Sequence, residues 1–285
     1  MKAFIHSRKF TAISITGTRC WLNCSFCRGY YLKGMIKADT PAQLKNVLRR
    51  LVTRGVRGIL ISGGFDRYGS LPVEKFLPII AEVKREYGES LFVSVHAGLA
   101  RSEEFVEVLK TARINLIDFE FSTDPSFIHG LRGLHGFSTD VYVRSLERYL
   151  NAGFRVVPHI LLFYPGYTAD KLARDLRTLE DHGVEEVTVL VFTPTPGTPY
   201  EDYSVDPGAV VNTLRWMRER WGGRIYLGCM RPYALKKVLD SEVVKLGLVD
   251  RIANPYPGLL NSMYKLSVYD ACCSVPEARL PMFEL

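Results

Sequence analysis

The clearest chemistry in this chain lies in three thiols, Cys20, Cys24 and Cys27, separated by three and then two residues. Thiolates packed this closely are soft ligands that can face one metal centre, and they suit iron–sulfur clusters or zinc. No fourth Cys or His lies in the loop, so one coordination position stays open, as a reacting centre requires. Three further cysteines lie far along the chain: Cys229, and the adjacent pair Cys272 and Cys273. Neighbouring α-carbons are about 3.8 Å apart, so both thiolates of the pair could reach one cluster through different irons. Two plainer readings stand beside these. The loop could be a zinc knuckle, which generally needs four ligands and here would have to borrow the 272–273 pair. The later cysteines could be inert thiols in the interior.

The elements that must position these residues are legible from hydrophobic runs. A β-branched run at 12–16 reads as a short strand ending in Gly17, so the cysteines leave a strand end. Apolar runs at 58–62, 91–95, 115–121, 155–163, 186–192, 224–228 and 249–253 read as further strands. Between them lie helical stretches near 40–54, 73–87, 102–111, 140–152, 168–182, 207–220 and 234–246. Thr40 and Pro41 supply a cap and a first-turn proline, and Gly55, Gly153 and Gly183 stop helices.

Continuous apolar strands alternating with helices point to an α/β fold with a parallel sheet. Eight alternations in 285 residues fit a (β/α)8 TIM-type barrel over residues 1–256, with a short C-terminal extension at 257–285 covering the barrel mouth. Such a barrel takes about 250 residues. A doubly wound open sheet shares the same alternation and is the alternative. In a barrel the C-terminal strand ends share one face. That would gather the cysteine loop, Gly63, Gly64, His96, Glu120, Ser122, Tyr164, Thr195 and Cys229 around one mouth.

The net charge is +7 and the apolar fraction 47%. Lysines and arginines are interspersed with acidic residues, as on a solvated surface, which argues against a nucleic-acid partner. No apolar run approaches the roughly 18 residues of a membrane span, and residues 1–10 carry no signal-peptide core. A cytoplasmic location with reduced cysteines is expected.

The spacing Cys20-x3-Cys24-x2-Cys27 after a first strand, with Phe26 before the last cysteine, resembles the signature of the radical S-adenosylmethionine (SAM) superfamily. The resemblance implies a radical SAM barrel in which the three cysteines hold three irons of a [4Fe–4S] cluster and SAM binds the fourth. Reductive cleavage of SAM then gives a 5'-deoxyadenosyl radical that abstracts hydrogen. Ser62, Gly63 and Gly64 resemble the glycine pair that approaches the methionine amino group, where a bare backbone suits a close ligand. The acidic residue usual after that pair is replaced by Phe65, with Asp66 one place later. By the same resemblance Glu120, Ser122, His159 and Thr195 are candidate SAM contacts; a solvated strand end, an interior histidine and a rigid turn are the plainer readings.

The runs around residues 12–17, 29–36 and 58–64 are similar to a biotin-synthase-like archaeal family that includes the components of a two-protein lipoyl synthase. Membership implies sulfur insertion into a protein-bound octanoyl chain, and a second iron–sulfur cluster as sulfur donor on Cys229, Cys272 and Cys273. The implied partners are an electron donor such as a ferredoxin, a lipoyl carrier protein and a second radical SAM component. Another enzyme of the same branch (a mutase, a methyl-transferring enzyme or a cofactor-assembly lyase) is the alternative. A metal-binding module without SAM chemistry is the other.

Overall fold

The computed structural model describes all 285 residues. Strands β1 (Lys2–Ile5) and β2 (Phe10–Ser14) open the chain, and the two-residue strand β3 (Ile36–Lys37) follows the cysteine loop. Seven helix–strand alternations come next. They are α1 (Pro41–Thr53) with β4 (Gly58–Ser62), α2 (Leu77–Tyr87) with β5 (Phe92–His96), and α3 (Glu103–Thr111) with β6 (Leu116–Glu120). Then come α4 (Val141–Asn151) with β7 (Val156–Leu162), and α5 (Ala169–Asp181) with β8 (Glu186–Val191). Last are α6 (Pro207–Arg220) with β9 (Arg224–Leu227), and α7 (Tyr233–Lys245) with β10 (Arg251–Ala253). A short helix α8 (Pro257–Leu260), strand β11 (Ser267–Asp270) and a 3-10 segment Glu277–Phe283 complete it. No helix is long and apolar enough to cross a membrane.

These elements form two compact units that interleave in sequence. The first comprises Met1–His6, Glu120–Asp124 and Val157–Leu285, and the second comprises Ser7–Phe119 and Pro125–Val156.

In the second unit the strands run β6-β5-β4-β2-β3, all parallel. Every residue of β4 is buried, as its unbroken apolar run demands of a strand covered on both faces. Helix α1 begins as its sequence dictates. Thr40 accepts a hydrogen bond from the Gln43 amide, Pro41 occupies the first turn, and such a cap contributes about 1 kcal/mol. Its buried residues Leu44, Val47, Leu48, Leu51 and Val52 form one helical stripe. Ser102 caps α3 in the same way through the Phe105 amide.

In the first unit the order is β11-β1-β10-β9-β8-β7, again all parallel. Thr168 caps α5, and Asp206 caps α6 through the Gly208 and Ala209 amides. Strand β1 is inserted between β10 and β11, with Ala3 opposite Ile252 on one side and Val268 on the other.

All eight strands expected from the apolar runs are present. The first lies two residues earlier than its β-branched run suggests, at 10–14, because the chain turns away after Ser14 to begin the cysteine loop. Strands β1, β3 and β11 are additional. Each has four residues or fewer, too short for an alternating or continuous pattern to stand out.

Candidate active site

The cysteine loop is built within the second unit. Cys24 is buried, while Cys20 and Cys27 are half-buried, and none of the six cysteines forms a disulfide. The loop turns on three left-handed residues, Asn23, Arg28 and Gly29, with φ of 44°, 44° and 73°. Asn and Gly tolerate this conformation, whereas Arg28 adopts it at a cost of about 1 kcal/mol. Between these turns the amides of Cys27 and Arg28 both donate to the Cys24 carbonyl, at 3.2 and 3.0 Å, closing a single tight turn.

Arg132 is the cation of this loop. Its Nη1 donates to Cys24 Sγ at 3.1 Å, and its guanidinium lies over the Phe65 ring at 5.3 Å. A hydrogen bond from Cys24, helped by the Gly29 amide and the Arg132 charge, holds the Cys27 thiol below its ordinary pKa. Thiolate, the form that binds metal, is favoured here. Arg132 lies 108 residues from Cys24, and no local pattern in the sequence marks it.

The loop sits on the end of β4. A Cβ added at Gly64 would lie 2.0 Å from the Arg19 carbonyl oxygen and 2.4 Å from Cys20 Cα. The Gly64 amide donates to Thr16 Oγ1 at 2.6 Å, and the Trp21 amide donates to the Phe65 carbonyl at 2.9 Å. Gly64 therefore has a reason for being glycine that precedes any ligand: the main chain of the cysteine loop rests on it. Gly63 is nearly as tight, with its Cβ position 3.0 Å from Thr16 Oγ1. Asp66 is engaged elsewhere. Its Oδ1 accepts from the Tyr68 and Ser70 amides, and its Oδ2 pairs with Arg101 at 2.9 Å. At the end of β5, His96 Nδ1 lies 3.2 Å from Ser62 Oγ.

The remaining candidates lie in the first unit. Glu120 is half-buried and Ser122 is buried, its hydroxyl accepting from the Asp124 amide at 3.1 Å. A network fixes this segment. Thr123 donates to Asp175 Oδ1 through both its amide and its hydroxyl, each at 2.7 Å. Asp124 Oδ2 accepts from Tyr164 OH at 2.7 Å and pairs with Lys171 at 2.9 Å. Burial pushes the Asp175 carboxyl up to about 6, and burial with the Asp124 contact pushes the Tyr164 phenol far up. His159 Nδ1 lies 3.0 Å from the Val157 carbonyl, which can only accept, so Nδ1 carries hydrogen and Nε2 the lone pair. Burial lowers the His159 pKa and keeps the ring neutral. Thr195 is buried, with its hydroxyl donating to the Thr193 carbonyl at 3.1 Å inside the proline-rich turn.

A second group of thiols also belongs to the first unit. Cys229 follows β9 and is exposed, Cys272 is half-buried, and Cys273 is buried. Cys272 Sγ lies 3.1 Å from Ser274 Oγ. Hydrogen bonds from Cys273 and His6 bring its thiol well below the ordinary value. Cys229 lies within electrostatic reach of Cys272, Arg231 and Lys236. Two buried arginines organise the main chain that carries these thiols. Arg231 makes two bonds to Asp240, at 2.8 and 2.9 Å, and donates to the carbonyls of Gly228 and Ala253 on either side of the loop. Arg251 Nη1 donates to the Cys273 and Val275 carbonyls at 2.6 Å each, and its guanidinium lies over the Phe4 and Tyr226 rings. Arg231 is marked in the sequence only by its place after Cys229, and neither Arg251 nor His6 stands out there, since their roles depend on main-chain partners and on strand order.

The chain is 21% identical over 213 residues to the ribosomal protein uS12 methylthiotransferase RimO of Prochlorococcus marinus, strain AS9601, covering 70% of this chain. It spans 45% of that relative's length. Among solved structures it is similar to methylornithine synthase (PylB), with a TM-score of 0.60 and 19% identity, covering 88% of this chain and 72% of that one. It is also similar to Streptococcus suis SuiB bound to S-adenosylmethionine, with a TM-score of 0.56 and 13% identity, covering 86% and 49%. At these identities the structural likeness shows the fold alone: the parallel α/β fold of the TIM-type radical SAM structures, as expected from the alternation of strands and helices. Residues 14–179, more than half the chain and including the three-cysteine loop, match the Radical SAM superfamily, and the chain belongs to that superfamily.

Proposed function

We propose that this protein is a sulfur-inserting radical SAM enzyme, a component of a lipoyl synthase that acts on an octanoyl chain held on a carrier protein. The observation that carries the reading is the second thiol group. Cys229, Cys272 and Cys273 lie on the first unit, with their main chain fixed by buried arginines. Nothing in radical generation calls for these thiols, whereas a sulfur donor does. The name of the RimO relatives, a methylthiotransferase, also describes a sulfur-transferring enzyme.

The superfamily implies a [4Fe–4S] cluster and SAM, and the residues present fit that cluster. Three thiols share one loop, Arg132 offsets their charge at Cys24, and Cys27 is biased toward thiolate. With SAM, the cluster supplies one-electron cleavage to a radical able to break unactivated C–H bonds, which acid–base side chains cannot do. Cys20, Cys24 and Cys27 would ligate it. Gly64, Thr16 and Trp21 hold the loop in place through main-chain contacts. The expectation of SAM contacts rests on Gly63 and Gly64 in the second unit and on Glu120, Ser122, His159 and Thr195 in the first. Of these, His159 offers a neutral ring with an acceptor nitrogen. On this reading a low-potential donor such as a ferredoxin supplies electrons. The partners are a lipoyl carrier protein and a second radical SAM component.

The test is anaerobic assay with SAM, reductant and an octanoyl-lysine peptide, with mass spectrometry for added sulfur, alone and with candidate partner components. A gain of sulfur that fails in Cys272→Ala/Cys273→Ala, while SAM cleavage continues, supports the reading. SAM cleavage without any sulfur gain under all these conditions would sink it.

A further inference from the structure

Four neighbouring strands of the first unit, β9, β10, β1 and β11, run parallel and deliver their C-terminal ends to one edge. Cys229 lies two residues beyond β9, and Cys272 lies two beyond β11. Adjacent strands are about 4.8 Å apart, so the main chains that carry these two thiols are roughly 14 Å apart. One strand end lies closer to Cys272. Ile5, the last residue of β1, is in register with Asp270, the last of β11. His6 therefore leaves the sheet immediately beside the turn into Cys272, on the strand that stands between the two thiol-bearing ends.

The side chains follow the register. His6 makes a hydrogen bond with Cys272, which also contacts Cys273 and lies 3.1 Å from Ser274 Oγ. His6 is exposed, so its imidazole is not committed to core packing. The edge is rigid where it matters, since Arg251 grips the Cys273 carbonyl. Imidazole is an established ligand of iron in clusters otherwise held by thiolates.

We propose that His6 is a ligand of a second metal centre on the first unit, joining Cys272, Cys273 and Cys229 in a mixed imidazole–thiolate iron–sulfur site. It rests on the sulfur-donor reading and adds the nitrogen ligand to it. An imidazole in place of a thiolate makes such a site less negative and raises its potential.

The experiment uses the full chain with Cys20→Ala/Cys24→Ala/Cys27→Ala, so that any cluster must occupy the second site. The protein is labelled with 15N-histidine, reconstituted anaerobically with iron and sulfide, reduced, and examined by pulsed EPR. The expected result is bound iron with nitrogen hyperfine coupling that changes on 15N labelling. The coupling should disappear in His6→Ala and in His6→Cys, with iron retained in His6→Cys. A cluster without histidine nitrogen coupling overturns the assignment, as does coupling that survives His6→Ala or disappears in His159→Asn instead. If the triple variant binds no iron, or takes up zinc alone, the second centre falls and the sulfur-donor reading falls with it. The decisive measurement needs no change at position 6, so a poorly folding His6 variant does not remove the test.

Discussion

Arg132 donates to Cys24 Sγ at 3.1 Å across 108 residues of sequence. This bond joins a cation to a loop whose function depends on negative sulfur. Arg132→Met should remove that charge and raise the Cys27 thiol pKa, leaving the Cys24 and Gly29 hydrogen bonds to hold it down. In metal-free protein, the alkylation rate of Cys27 near pH 7 should fall as the thiolate fraction drops. A pH–rate profile by mass spectrometry would show the shift, and an unmoved profile would mean that the guanidinium only packs.

The contact of Gly64 with Cys20 makes a sharper prediction. Gly64→Ala places a methyl group against main-chain atoms that cannot rotate away. It should cost about 2–4 kcal/mol or displace the loop, with iron loading lost in proportion. Gly34→Ala is the control, because nothing lies within 4 Å of a Cβ there. Equal melting temperatures and equal iron content for the two variants would contradict the close-approach argument.

Arg251 tests the anchoring of the tail. It is about 1% exposed and bonds two carbonyls, Cys273 and Val275, with Glu277 at 2.5 Å. Lysine cannot reproduce a planar fork, so Arg251→Lys should leave buried carbonyls unsatisfied and cost about 2–4 kcal/mol. The effect should be concentrated locally, with faster hydrogen exchange over residues 271–280 than over the β4 and β5 segments. Uniform exchange across the chain would count against a local clamp.

Asp175 predicts a pH dependence. Burial raises its carboxyl from 3.8 to about 6, so between those values the folded protein binds more protons than the unfolded chain. Stability from this group is therefore present at low pH and falls as pH rises from about 4 to about 6. Asp175→Asn keeps an acceptor oxygen for Thr123 and removes the charge. It should be more stable than the parent at pH 7.5 by about 3 kcal/mol, with the advantage fading toward pH 4. Melting curves of both proteins across that range decide it, and a pH-independent difference would refute the assignment.

The periodic part of the molecule was readable from sequence. Each long apolar run from 58–62 to 224–228 became a strand at nearly its expected place, because a buried parallel strand leaves an unbroken hydrophobic signature. The three-cysteine loop was readable too, since its ligands are local. What stayed hidden depends on distance along the chain. Arg132 and Thr16 act on the loop through contacts that no spacing encodes. Gly64 was read as a ligand-facing glycine, and its tightest constraint is the neighbouring loop backbone. Strand β1 carries only Ala3 and Phe4 as fully buried residues, too little to reveal that it joins the two ends of the sequence.

That insertion has a consequence for the time at which the first unit becomes whole. Lys2 pairs with Arg251 and Ser267, so it waits for residues synthesised much later before it finds its place. Closing so long a loop costs only slowly increasing entropy, but contacts of such separation form late. Strand β11 reaches the sheet only through β1, so the edge carrying Cys272 and Cys273 is completed after the cysteine loop of the second unit can fold. Assembly of this chain would then have an order, with the radical-generating loop before Cys272 and Cys273.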